Sequence, residues 1–107
     1  MRRAKVFMYD TLAGILVENE DGYHYQYDQD YLDSHDPEAI SLTIPLDVKT
    51  YSSQILFPFF DGLIPEGWLL DIAAKNWKLD IRDRMSILLA TCQDCIGVVS
   101  IEEIKDS

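Results

Sequence analysis

Cys92 and Cys95 stand in a C-x-x-C spacing, which suits either thiol redox chemistry or half of a zinc site. Thioredoxin-like pairs open a helix after a strand. Here the pair closes an apolar helical stretch and precedes a strand-like run, so the context is reversed. A zinc site needs further ligands, and the two histidines, His24 and His35, share no ligand-like spacing with the pair. The expectation is that both thiols serve as small buried hydrophobes. The acid pairs Asp28/Asp30 and Glu102/Glu103 read as solvated charges. His24, between Tyr23 and Tyr25, reads as the solvent-facing position of a strand, and His35 lies in an acidic loop without an identifiable partner. The five glycines are scattered, with neither a G-x-x-x-x-G-K-[ST] nor a G-x-G-x-x-G run to cradle phosphates. No nucleophile or acid–base set converges at a usable spacing. The expectation is a binding protein rather than an enzyme, with no cofactor and no metal.

At 107 residues the chain has room for one core, so a single domain over 1–107 is expected. Hydrophobic residues make up 48% of it, enough to place it among globular chains rather than disordered ones. The apolar runs are broken by Pro58, Asp61, Pro65 and Glu66 before they approach the roughly 18 residues of a membrane span. Arg2, Arg3 and Lys5 are followed too soon by Asp10 for a signal peptide, so a soluble cytoplasmic protein is expected. The net charge of −10 is unevenly placed: Val6 to Val48 holds ten acidic residues and no Lys or Arg, and the remainder holds nine of each sign. Such a field repels phosphate backbones and disfavours direct nucleic-acid binding. It serves solubility, or steers the chain toward a basic surface on a partner.

The elements that must position any site follow from periodicity. Ala4 to Tyr9 and Leu12 to Val17 read as a β-hairpin. Glu18 to Gly22 reads as a turn, and Tyr23 to Tyr27, alternating aromatic with polar, as a third antiparallel strand. Asp28 to Asp47 reads as a long surface excursion in which Ala39 to Ile44 suits an edge strand. After the dense apolar run Ile55 to Phe60, Pro65 suits a helix start and Glu66 its first turn, predicting a helix to about Trp77. Asp80 suits the cap of a second helix, with Ile81, Met85, Leu88, Leu89 and Cys92 along one face. Ile96 to Ile101 reads as a strand returning to the sheet before a charged tail. The order β-β-β then α-α-β predicts an α+β domain: a small antiparallel sheet with two helices in the C-terminal half.

Phe59-Phe60-Asp61-Gly62-Leu63-Ile64-Pro65-Glu66-Gly67 resembles the F-x-x-L-L-P-E-G signature in the N-terminal subdomain of HipA-like serine/threonine kinases. Val6 to Leu16, with Gly14, resembles that family's opening hairpin. Tyr23 to Tyr31 resembles its F-x-Y-x-x-x-Y-L strand, and Ile40-Ser41-Leu42 with Pro45-Leu46 its I-S-x-x-L-P-L stretch. Leu88-Leu89 with Asp94 to Val98 resembles L-L-x-x-x-G-x-D-x-x-G-A. Cys92 stands where the family often has Gly, and Val98 where it usually has Ala. The resemblance covers nearly the whole chain.

In the full-length kinases this subdomain precedes the ATP loop and the catalytic and metal-binding aspartates, none of which this sequence carries. The chain resembles the small, HipS-like component of a split HipBST-type toxin–antitoxin system. The other two components are a shortened HipA-like kinase and a HipB-like DNA-binding protein. The resemblance implies an antitoxin that binds and restrains the kinase. Trp68 is the expected aromatic anchor at that interface. Leu63 and Ile64 hold the turn before it, and Asp61 and Glu66 are placed to reach basic groups of the kinase. The alternative, from a different class, is an acidic decoy that imitates nucleic acid and occupies a basic site on a DNA-binding protein.

Overall fold

Alternation along Arg2–Met8 puts Ala4, Val6 and Met8 on one buried face and Lys5 in solvent, and this run forms strand β1. The computed structural model describes residues 1–64, 67, 82–91 and 98–105. β1 turns through Tyr9 and Asp10, both at positive φ (49° and 66°), into β2, Thr11–Asn19. Two left-handed residues give a tight hairpin the twist that its strands require. The next turn, Glu20-Asp21, is fixed by Asn19, whose Oδ1 accepts from the Asp21 N–H at 2.9 Å. It leads into β3, Gly22–Tyr27. Gly22 sits at φ 121°, and a Cβ there would lie 2.4 Å from the Ser53 carbonyl, so both conformation and space require glycine.

A one-turn helix α1, Gln29–Leu32, is capped by Asp28. After a long excursion the chain adds β4, Tyr51–Ser53, then the short helix α2, Pro58–Asp61, the helix α3, Arg84–Thr91, and β5, Val99–Ile104. The five strands form one antiparallel sheet in the order β4-β3-β2-β1-β5. The predicted α+β class, with its antiparallel sheet, describes the fold. The predicted helix from Pro65 to Trp77 lies outside the described residues, as do Asp80, Ile81, Cys92 and Cys95.

Two expectations are corrected. Ala39 to Ile44 is not an edge strand: it holds only a single bridge, Ser41 to Ile44, and the edge is β4, in register with Tyr23 to Tyr25. The returning strand does not stop at Ile101. It runs on to Ile104, with Glu102 opposite Lys5 on β1.

The inward sheet face joins Ala4, Val6, Leu16, Tyr25, Tyr27 and Ile101 to Phe57 and Phe60 around α2 and to Met85, Ile87 and Leu88 on α3. Tyr25 packs edge-on to Tyr27, with ring centroids 5.0 Å apart, and against Phe60 at 5.7 Å. Gly14 makes room for this: a Cβ there would meet the Tyr25 hydroxyl and the Gln26 carbonyl at 2.4 Å. No helix among the described residues is long and apolar enough to cross a membrane.

Candidate partner-binding site

The segment from Phe57 to Ile64 is built as a rigid turn. Pro58 opens α2, where its missing N–H costs nothing. The Asp61 and Gly62 N–H groups donate to Phe57 and Pro58 at 3.0 and 2.9 Å, and those of Leu63 and Ile64 to Phe60 and Asp61 at 3.0 and 3.2 Å. Phe57, Phe60 and Ile64 are buried, Phe59 packs edge-on to Phe60 at 5.2 Å, and half-buried Leu63 lies against the same core. The turn therefore carries its own hydrophobic foundation. Ile64 and Leu63 face the domain's own core. Beyond them, Gly67 is exposed at φ 79°, a conformation that costs other residues strain. Trp68 and Glu66, the expected anchor and acid, lie outside the described residues.

Asp61 has an internal partner that its spacing in sequence did not reveal. Its Oδ1 accepts from the Arg84 Nε at 2.6 Å, joining α2 to the start of α3.

Immediately beside Arg84, Asp83 faces the other way. Arg2 grips it in a fork, Nη2 to Oδ1 at 2.7 Å and Nη1 to Oδ2 at 3.0 Å, while its Nε donates to Glu18 at 2.6 Å. Asp83 also caps α3, accepting from the Ser86 N–H at 3.2 Å and the Ser86 hydroxyl at 2.7 Å. The cap of the described helix is thus Asp83. The Arg2 guanidinium holds the Asp83 carboxyl below the usual carboxylate range, with Ser86 adding to the effect and burial opposing it.

A second rigid assembly lies around Tyr27 and Tyr31, whose rings stack 6.3 Å apart and 7° from parallel. The Tyr27 hydroxyl donates to the Ile44 carbonyl and accepts from the Ile40 N–H at 3.0 Å. The Tyr31 hydroxyl donates to the Glu38 carbonyl at 2.6 Å and accepts from the Glu38 N–H at 3.2 Å. Nothing in the sequence pattern signalled this clamp, because tyrosines on a strand and in a one-turn helix reach backbone far along the chain.

The remaining chemical candidates stay apart. His24 is hydrogen-bonded between Ser52 at 2.8 Å and Asn19 at 3.0 Å, and His35 is exposed in its loop. Asp28 is a helix cap, Glu102 is exposed and Glu103 half-buried. An open hollow beside the Asn19–Gly22 turn is lined by Met1, Glu18, Glu20, Asp21, Tyr23 and Gln54. Among the described residues no three His, Cys, Asp or Glu side chains gather as a metal site would require.

Comparison with known proteins shows the family. The family model described as the HipA N-terminal domain matches residues 4–102. An uncharacterized protein of Haemophilus influenzae (strain ATCC 51907 / DSM 11121 / KW20 / Rd) is 35% identical over 105 residues, covering 98% of this chain and 95% of that protein. A solved structure described as the N-terminal domain of HipA toxin superposes with a TM-score of 0.77 at 30% identity. The match covers 100% of this chain and 96% of that one.

Proposed function

We propose, from the premise that this chain belongs to the HipA N-terminal domain family, that it acts as an antitoxin rather than an enzyme, binding a HipA-like serine/threonine kinase and restraining it. In this reading it is the small, HipS-like component of a three-component system, and meets a HipB-like DNA-binding protein only through the complex.

The observation that carries the reading is the whole-length likeness to the N-terminal domain of HipA toxin. A domain of this shape suits the surfaces that such a kinase presents to its own N-terminal part. The turn from Phe57 to Ile64 supplies the physical means. Its aromatic foundation is packed before any partner arrives, so little ordering entropy is lost when the following residues bind. Trp68, four residues beyond Ile64, acts as the aromatic anchor, and Glu66 meets a basic group at the edge of the kinase's nucleotide site.

Co-expression of the chain with a HipA-like kinase from the same genome tests this. The expected result is a stable complex and rescued growth, with Trp68→Ala weakening the complex by about 2 kcal/mol or more while leaving the domain folded. A folded Trp68→Ala variant that still neutralises the kinase excludes the anchor. Failure of the wild-type chain to bind or rescue excludes the antitoxin reading.

A further inference from the structure

Leu42 is 100% exposed, the most exposed of the large apolar side chains in the described chain. Single exposed leucines are common on protein surfaces and usually sit on segments free to turn them aside. This one has no such freedom. It occupies a turn closed by the Ile44 N–H donating to the Ser41 carbonyl at 3.1 Å, and the Ser41 hydroxyl accepts from the Thr43 N–H at 3.2 Å. The residues that flank the turn, Ile40 and Ile44, are buried in the core, and the Tyr27 hydroxyl bridges the Ile40 N–H and the Ile44 carbonyl. One step outward, the Tyr31 hydroxyl holds both backbone groups of Glu38. The two ends of the turn are therefore pinned to the sheet, and its tip is held out in water. Leu46 and Val48 expose further apolar surface along the same excursion.

The charge flanking this knob along the chain is net negative. Asp36 and Glu38 precede it, Asp47 follows it, and all three are exposed. Lys49, the nearest cation in the chain, lies over the Tyr51 ring, 4.8 Å from its centroid. A rigid apolar tip flanked by carboxylates complements an apolar socket rimmed by Lys or Arg: the tip supplies desolvation, and the acids supply orientation and a faster encounter.

We infer that the Leu42 turn is a second docking point, separate from the Pro65–Trp68 segment, which inserts into a basic-rimmed apolar socket on the HipA-like kinase. This inference rests on the kinase-binding reading. The clamp gives it specificity, since the turn keeps one shape in the free and bound states.

The test is titration calorimetry of the purified chain with the purified kinase at low and moderate salt, using Leu42→Ser, Leu42→Met and the double variant Asp36→Lys, Glu38→Lys. Leu42→Ser is expected to weaken Kd roughly tenfold or more at unchanged Tm, and Leu42→Met to stay close to wild type. The charge reversal is expected to weaken Kd at low salt and to flatten its salt dependence. Unchanged Kd for Leu42→Ser, with the wild type binding, overturns the docking point and leaves the antitoxin reading standing. A loss of affinity accompanied by a lowered Tm also overturns it, because Leu42 would then be structural. Absence of binding by the wild type overturns the kinase reading and this site with it.

Discussion

Asp61 and Arg84 lie 23 residues apart in the chain and meet at 2.6 Å, so the last residue of α2 is tied to the first residue of α3. Next to Arg84, Asp83 is tied in the opposite direction to Arg2 on β1. The start of one helix thus joins the sheet and the Phe57–Ile64 turn through two ion pairs of opposite polarity.

The Asp61–Arg84 pair is worth little in stability, because its side chains are 43% and 36% exposed and solvent screens them. A double-mutant cycle with Asp61→Asn and Arg84→Gln is expected to return a coupling of about 0.2–1 kcal/mol in urea unfolding. A larger loss of kinase affinity than of stability in Asp61→Asn would show that the pair orients the turn.

Asp83 makes stability depend on pH. Its carboxyl titrates below the unfolded value of about 3.9. Its contribution is therefore fully present above that value and is lost as pH falls through the lower, folded one. Asp83→Asn keeps a capping side chain but no charge. Urea midpoints of the wild type and this variant are expected to differ at neutral pH and to converge as the solution is acidified below about pH 4. Parallel curves would remove the charge from the account.

Phe60 is fully buried between Tyr25, Phe57 and Phe59, and it carries both the core and the turn. Phe60→Ala is expected to cost about 3–5 kcal/mol, a large share of the ~5–15 kcal/mol of a small domain. Chemical denaturation measures it. Co-purification at reduced temperature should show partner binding falling in step with the folded fraction.

Tyr25 is fully buried, and its hydroxyl has no hydrogen-bond partner among the described residues. Burial pushes its pKa up, so the group stays neutral throughout the ordinary range. Replacing it with Phe removes an unpaired polar atom from the interior. Tyr25→Phe is expected to leave stability unchanged or raise it by up to about 1 kcal/mol, read as a higher Tm. A clear loss would mean that the hydroxyl has a partner.

The strands were legible in the sequence because one face of the sheet is buried: Ala4, Val6 and Met8 alternate with polar or half-exposed residues, as do Tyr25 and Tyr27. The F-x-x-L-L-P-E-G-like run showed where the turn lies, and its aromatic density signalled burial. Ala39 to Ile44 misled because its two buried isoleucines mimic a strand, whereas the backbone groups of Ile40 and Ile44 are taken by one tyrosine hydroxyl. The true edge, Tyr51-Ser52-Ser53, has no apolar alternation and takes its place from register with β3. Of the expected site, Leu63 and Ile64 fall on the turn as read. The engagement of Asp61 by Arg84 was hidden because ion pairs far apart in the chain leave no periodic trace.

The strand order has a consequence for how the molecule forms. β1 is made first but gains its second neighbour from β5, so Arg3 to Met8 expose an open edge until residues 99–104 are available. On the ribosome the β1–β2–β3 meander can assemble early through local turns, while the sheet stays open on one side until β5 has emerged. Clipping or displacing β5 would return the chain to that half-built state. Its uncovered β1 edge would invite strand pairing between molecules, so the last strand guards the first against aggregation.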